Sequence, residues 1–176
     1  MKYQLKCIKT GDIIDDQYTL HYTDNALLRA IHHHPFELND GQGVWKYLSW
    51  LPTQEVNDYA AGTVTYKAEA LGHRLGLSNL WITFHGYWPE KGGLCPTGSF
   101  KDMEAVPTIQ RLKEHGKKGI ICASAGNTAR AFTHFCGLSD TPLIVVVGKD
   151  HGHRVWVRPE NPATSVRLIV VEDGDY

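Results

Sequence analysis

The sequence predicts an α/β fold built on a parallel sheet, from three observations. From Thr63 onward, short β-branched or aromatic runs alternate with segments whose apolar residues recur at helical spacing. The links between these segments are short, and strands joined through a helix pair in parallel because that pairing needs a crossover. The chain has 176 residues, 42% of them hydrophobic, which suits one domain with a filled core.

Residues 1–35 read as a small β unit and residues 36–176 as an α/β region. In the first, Tyr3–Cys7 alternates apolar and polar side chains, Gly11-Asp12 and Asp15-Asp16 mark turns, and residues 18–22 resume the alternation. Residues 27–51 read as irregular, with a solvated loop at His32-His33-His34 and packing aromatics at Trp45, Tyr47 and Trp50. Residues 63–66 form a strand, residues 68–75 a helix closed by Gly76, and residues 80–84 a further β run. Residues 86–98, rich in glycine and proline, form a loop. Ser99 is expected to cap the next helix, with Asp102 completing a capping box. Phe100, Met103, Val106, Ile109 and Leu112 share its apolar face, and Pro107 should kink it. Residues 119–123 form a buried strand. The turn Ser124-Ala125-Gly126-Asn127 then leads into a helix capped by Asn127 or Thr128. That helix buries Ala129, Phe132, Phe135 and Cys136, and Gly137 stops it. Residues 143–147 and Val166–Val171 complete the strands.

Composition excludes more than it names. Eighteen basic residues stand against nineteen acidic, and no basic stripe suggests nucleic acid or a membrane surface. The longest apolar run, residues 143–147, is far too short to span a bilayer. The first residues lack the apolar core of a signal peptide. Cys7, Cys95, Cys122 and Cys136 are irregularly spaced, so reduced thiols and a cytoplasmic location are expected.

Two loops stand where ligands bind in parallel sheets, beyond the carboxyl ends of strands. They are residues 97–102, Thr-Gly-Ser-Phe-Lys-Asp, and residues 124–128, Ser-Ala-Gly-Asn-Thr. Each offers hydroxyls and free N–H groups at a helix start, a setting that suits an anion. Lys101 in such a first turn opposes the helix dipole by roughly 0.3–1 kcal/mol. With burial, that field favours the neutral amine that condenses with an aldehyde. On spacing alone Lys101 fits a solvated surface lysine better than a reactive one, and residues 124–128 fit a plain turn at least as well as a binding site.

Taken together, the two loops resemble the lysine motif and the asparagine loop of threonine synthases and their fold-type II relatives. Residues 49–52, 65–71, 76–80, 86–92 and 107–112 resemble the cysteate synthase branch of that family, whereas Gly98 and Asp102-Met103 are closer to general threonine synthases. The resemblance implies a tryptophan synthase β-like fold and a pyridoxal 5'-phosphate (PLP) cofactor. It implies that Lys101 carries the cofactor and moves a substrate proton, and that Asn127 contacts the cofactor ring oxygen. Ser124, Gly126 and Thr128 would hold the substrate carboxylate. The implied substrate is a phosphorylated amino acid. Cysteate synthases replace the phosphate of O-phosphoserine by sulfite, in coenzyme M biosynthesis, and threonine synthases act on O-phosphohomoserine with water. A non-catalytic remnant or interaction module that keeps the motifs is the alternative.

Such enzymes are longer than this chain, and their phosphate-binding loop and pyridine-nitrogen partner come later in sequence. The chain alone is therefore expected not to turn over substrate, to leave strand 143–147 partly exposed, and to form a homo-oligomer. Relatives carry paired Cys-x-x-Cys knuckles near the N-terminus. Here Cys7 is kept, Thr10 replaces its partner, and His21 and Asp24 hold the second spacing, so a degenerate zinc-ribbon-like unit without metal is expected.

Overall fold

A computed structural model describes residues 2–18, 22–155 and 164–174. Its elements run in the order β1 (Tyr3–Cys7), β2 (Ile13–Ile14), β3 (Leu28–His32), β4 (Val64–Lys67), α1 (Glu69–Leu75), β5 (Trp81–Phe84), β6 (Tyr87–Trp88) and β7 (Gly93–Leu94). There follow α2 (Asp102–Glu114), β8 (Ile120–Ala123), α3 (Asn127–Leu138), β9 (Leu143–Gly148) and β10 (Val166–Val171).

The parallel sheet expected from the alternation is β10-β9-β8, with β9 in the middle and both pairings parallel. The central strand is the most apolar, and Leu143, Val145 and Val147 point into the core. There they meet Ala129, Phe132, Phe135 and Cys136 of α3, and Val106 and Ile109 of α2. The partial exposure expected of residues 143–147 is confined to one face, where Ile144 and Val146 are half-buried. The exposed apolar side chains lie on β10, at Leu168, Ile169, Val170 and Val171, and at Ile121 of β8. β8 is buried only at Cys122, so it is not the fully buried strand expected from its composition.

Parallel pairing does not extend to the first strand–helix–strand unit. β4 and β5 pair antiparallel, with Val64 opposite Phe84 and Lys67 opposite Trp81. α1 has only seven residues, about 10 Å of rise, and Gly76 ends it at φ 71° in the left-handed region. The chain thus turns straight back beside β4. The loop at residues 86–98 also contains a short antiparallel pair, Tyr87 opposite Leu94 and Trp88 opposite Gly93.

In the N-terminal unit β1 is flanked by β2 and β3, both antiparallel. β3 falls in the stretch read as irregular, because Leu28-Arg29-Ala30-Ile31 does not alternate and pairing to β1 alone defines it. His32 is accordingly no solvated loop residue: its ring stacks on Trp50, 4.5 Å between centroids and 9° from parallel. The strand expected over residues 18–22 lies mostly outside the described residues, and Tyr18 at its start has φ 62°.

α2 ties the two regions together. Arg111 donates to the Tyr3 hydroxyl at 2.8 Å, to the Pro52 carbonyl at 3.0 Å and to Asp16 Oδ2 at 2.5 Å. Tyr3 donates its own proton to Asp16, and burial followed by that bond pushes its pKa up to about 12. At the end of α2, Glu114 accepts the N–H groups of Gln54 and Glu55. The helix runs on through Pro107, and Asn57 donates to the Val106 carbonyl just before it. α3 likewise continues through Gly137 to Leu138. The left-handed position after it is taken by Asp140, φ 50°, while the Ser139 hydroxyl donates back to the Phe135 carbonyl. Among the described residues no helix is long and apolar enough to cross a membrane.

The Asp16 side chain is only 5% exposed. Arg111→Met should therefore lower the unfolding free energy by about 3 kcal/mol, since it removes the Arg111 guanidinium from a buried carboxylate. Urea titration of parent and variant measures the difference.

Candidate active site

The lysine loop is organised by Asp102. This first residue of α2 is fully buried, and its carboxylate accepts both the N–H and the hydroxyl of Thr97. Gly98, at φ 76°, turns the chain between them, a backbone region that other residues enter only with strain. The capping box expected between Ser99 and Asp102 is not formed. Residues 99–101 make a turn ahead of the helix, so Ser99 lies too early to cap it. Its Oγ accepts the Lys101 N–H at 3.2 Å instead.

Lys101 occupies the N-cap position of α2 in a helical conformation. Its ammonium pairs with Glu104, and Nζ lies 5.6 Å from the centroid of the Phe100 ring. The side chain is 32% exposed, so the burial expected for Lys101 is not present. Phe100 is half exposed and leaves the apolar face of α2, which Ala105, Val106, Ile109 and Leu112 bury.

The second loop is anchored by Ser124, a buried side chain whose Oγ accepts the Gly126 N–H at 3.3 Å. Gly126 is the N-cap of α3 and no side chain caps the helix, which corrects the expected role of Asn127 or Thr128. Asn127 is the first helical residue, and its Oδ1 accepts a bond from Arg130 at 3.3 Å. A Cβ added at Gly126 would meet nothing within 4 Å, so the backbone there is open to approach.

The two loops meet over a shared core, in which Ala105 and Val106 of α2 are buried with Cys122 of β8, the strand that runs directly into Ser124. Burial pushes the Cys122 thiol pKa up, and the charge of Glu104 adds to that shift. Thr97, Glu104 and Arg130 are the site residues that sequence reasoning missed. The i, i+3 spacings of Lys101 to Glu104 and Asn127 to Arg130 were the available signal. Two surface recesses, of about 400 Å³ beside α1 and about 490 Å³ reaching Met103, include neither Lys101 nor Asn127.

The N-terminal unit offers different chemistry. The buried Cys7 sulfur accepts the Thr10 N–H at 3.5 Å, and Asp24 pairs with Lys9 at 2.6 Å. His21 lies outside the described residues. Among the described residues no group of three or more His, Cys, Asp and Glu is placed to hold a metal ion.

Comparison with known proteins decides what the two helix-start loops belong to. Residues 57–169, which include both, match the family of pyridoxal-phosphate dependent enzymes. The chain belongs to that family.

Among the chain's relatives are cysteate synthases of Methanosarcina and Methanocella species. The chain is 47% identical over 178 residues to the one from Methanosarcina mazei and 46% identical over 177 to that from Methanosarcina barkeri. It is 44% identical over 177 residues to the cysteate synthase of Methanocella arvoryzae. Each match covers 99% of this chain and 42% of the relative, so the chain spans about two fifths of their length. The donor set is chemically compatible with such a cofactor: Lys101 carries a primary amine, Asn127 an amide, and residues 124–128 hydroxyls and backbone N–H groups.

Burial pushes the Asp102 carboxyl pKa up, against the Thr97 bonds and the charge of His134. Its folded pKa lies above the unfolded one, so its stabilising contribution is complete below about pH 3.9 and is lost as pH rises through the folded pKa. Asp102→Asn removes this titration. Urea midpoints should show the parent losing stability relative to the variant on going from acid toward neutral pH. Asp102→Ala, which strands both Thr97 donors, should cost about 2 kcal/mol.

Proposed function

We propose that this chain is the lysine-bearing region of a PLP-dependent β-replacement enzyme with cysteate synthase chemistry. It would convert O-phospho-L-serine and sulfite to L-cysteate and phosphate. The observation that carries the reading is the placement of Lys101 at the start of α2. The helix it starts shares a buried core with Cys122, on the strand that feeds Ser124, Gly126, Asn127 and Thr128 into the start of α3.

Lys101 and Asn127 are the residues that would hold the cofactor, and bound PLP supplies an electron sink for the substrate Cα. The rest follows from side chains of this chain. Lys101 must leave Glu104 before its amine can take a proton from Cα, and as an ammonium it can return one. Glu104 is then a place for that ammonium to rest. The Ser124 oxygen is occupied by the Gly126 N–H, which leaves the hydroxyl proton to donate to a substrate carboxylate. Thr128 and the N–H groups at the start of α3 attract the same carboxylate, helped by the helix dipole. The open space at Gly126 lets that group come close to the backbone.

A second reading is a threonine synthase-type reaction on O-phosphohomoserine with water. Gly98 and Asp102-Met103 favour it, since they resemble general threonine synthases and Asp102 organises the lysine loop.

Both readings are tested in one experiment, with residues 1–176 grafted in place of the matching segment of the Methanosarcina mazei relative. The graft should make cysteate from O-phosphoserine and sulfite, and Lys101→Ala should abolish it. Threonine from O-phosphohomoserine would select the second reading, and neither product from a folded graft would overturn both. In the same graft, Thr128→Ala should raise the KM for the amino acid more than it lowers kcat.

A further inference from the structure

We infer that Arg130 is a positioning residue that holds the Asn127 amide with its NH2 edge turned outward, as the donor to the cofactor ring oxygen. This rests on the function proposed above and assigns a residue beyond the two motif loops.

Asn127 and Arg130 are one helical turn apart at the start of α3, a spacing that brings side chains together. Arg130 Nη1 donates to Asn127 Oδ1 at 3.3 Å, and Arg130 Nε donates to the Arg154 carbonyl at 2.6 Å. The second bond fastens the guanidinium to the 3-10 segment Lys149–Arg154, which follows β9 directly. A guanidinium has donors and no acceptor, so the amide must turn its oxygen toward it. The amide is planar and its two edges are nearly isosteric, so committing the oxygen commits Nδ2 to the opposite side.

The two orientations are not equivalent for a ligand that presents an oxygen. With Nδ2 outward the amide donates a bond; with Oδ1 outward two oxygens oppose each other. Asn127 is not used to cap α3, so nothing in the helix start selects the edge. Arg130 does, and it links the choice to the carboxyl end of the central strand. A cation this early in a helix also opposes the dipole, and the Arg154 carbonyl and the Asn127 oxygen give its charge partners there.

The test begins with the unliganded chain. The side-chain NH2 resonances of Asn127 are read by 1H–15N correlation in the parent, Arg130→Met and Arg130→Lys. Arg130→Met should move the Asn127 pair, and Arg130→Lys, which keeps a donor, should return it toward the parent position. PLP retention is then measured by absorbance in the same proteins. Arg130→Met should weaken it about tenfold, the loss of one hydrogen bond, with most of the loss recovered in Arg130→Lys. Asn127→Asp keeps an acceptor for Arg130 but has no N–H to offer. It should lose as much retention as Asn127→Ala.

An unmoved Asn127 pair in Arg130→Met would overturn the inference, as would Asn127→Asp holding PLP like the parent. A purely structural role for Arg130 would lower the urea midpoint without moving that pair. If Arg130→Met does not fold, Arg130→Lys and Asn127→Asp carry the same comparison. PLP attached elsewhere than Lys101 in the parent would count against the proposed function, while the apo resonances still decide what Arg130 holds.

Discussion

A carboxylate removed from water must find donors or lose its charge, and Asp102 meets that demand with both donors of Thr97. The clamp offsets only part of the desolvation, and it also shapes the chain. It closes the chain over Gly98 and packs Ser99 inside, which leaves Phe100 and Lys101 at the surface end of α2. From there the helix is committed: Ala105, Val106, Ile109 and Leu112 must face the core once Asp102 does. The lysine is thus placed by a buried acid five residues from its partner, and the sheet below supplies the floor.

That arrangement gives the site two supports of different kind. Below, β9 and α3 provide an apolar core that positions the turn at Ser124–Asn127. At the far end of α2, Arg111 joins Asp16, Tyr3 and the Pro52 carbonyl, so the N-terminal unit braces the same helix that bears Lys101. A movement of that unit would be felt along α2, because a closely packed helix transmits displacement along its length. The Lys101–Glu104 pair is the part free to change, being exposed and made of two flexible side chains.

Much of this was legible in the sequence wherever one element decides its own structure. β9 is a continuous apolar run and β10 one broken only by Arg167, α3 shows one buried stripe, and Gly76 marks the end of α1. What failed depended on distant partners. β3 has no alternation and exists through β1, and the antiparallel turn of β4 and β5 follows from the shortness of α1. Thr97 was passed over because Ser99 stands at ideal capping distance from Asp102 by spacing, while the actual turn places it two residues before the N-cap. Gly137 invited a stop that Asp140 takes instead. In the site, spacing alone left Lys101 and residues 124–128 ambiguous, and the family resemblance gave them roles. For Arg130 the spacing from Asn127 was a signal, but the bond to the Arg154 carbonyl, 24 residues away, was not readable from it.

The central claim is that Lys101 is the residue to which the cofactor is joined. Its most direct measurement is borohydride reduction of the protein with PLP, followed by peptide mapping of the labelled lysine. The account predicts one principal site, Lys101, with labelling lost in Lys101→Ala and enhanced in Glu104→Gln, which releases the amine from its ion pair. Labelling spread across other exposed lysines, such as Lys9, Lys46 and Lys113, with Lys101 no more reactive than they are, would contradict it.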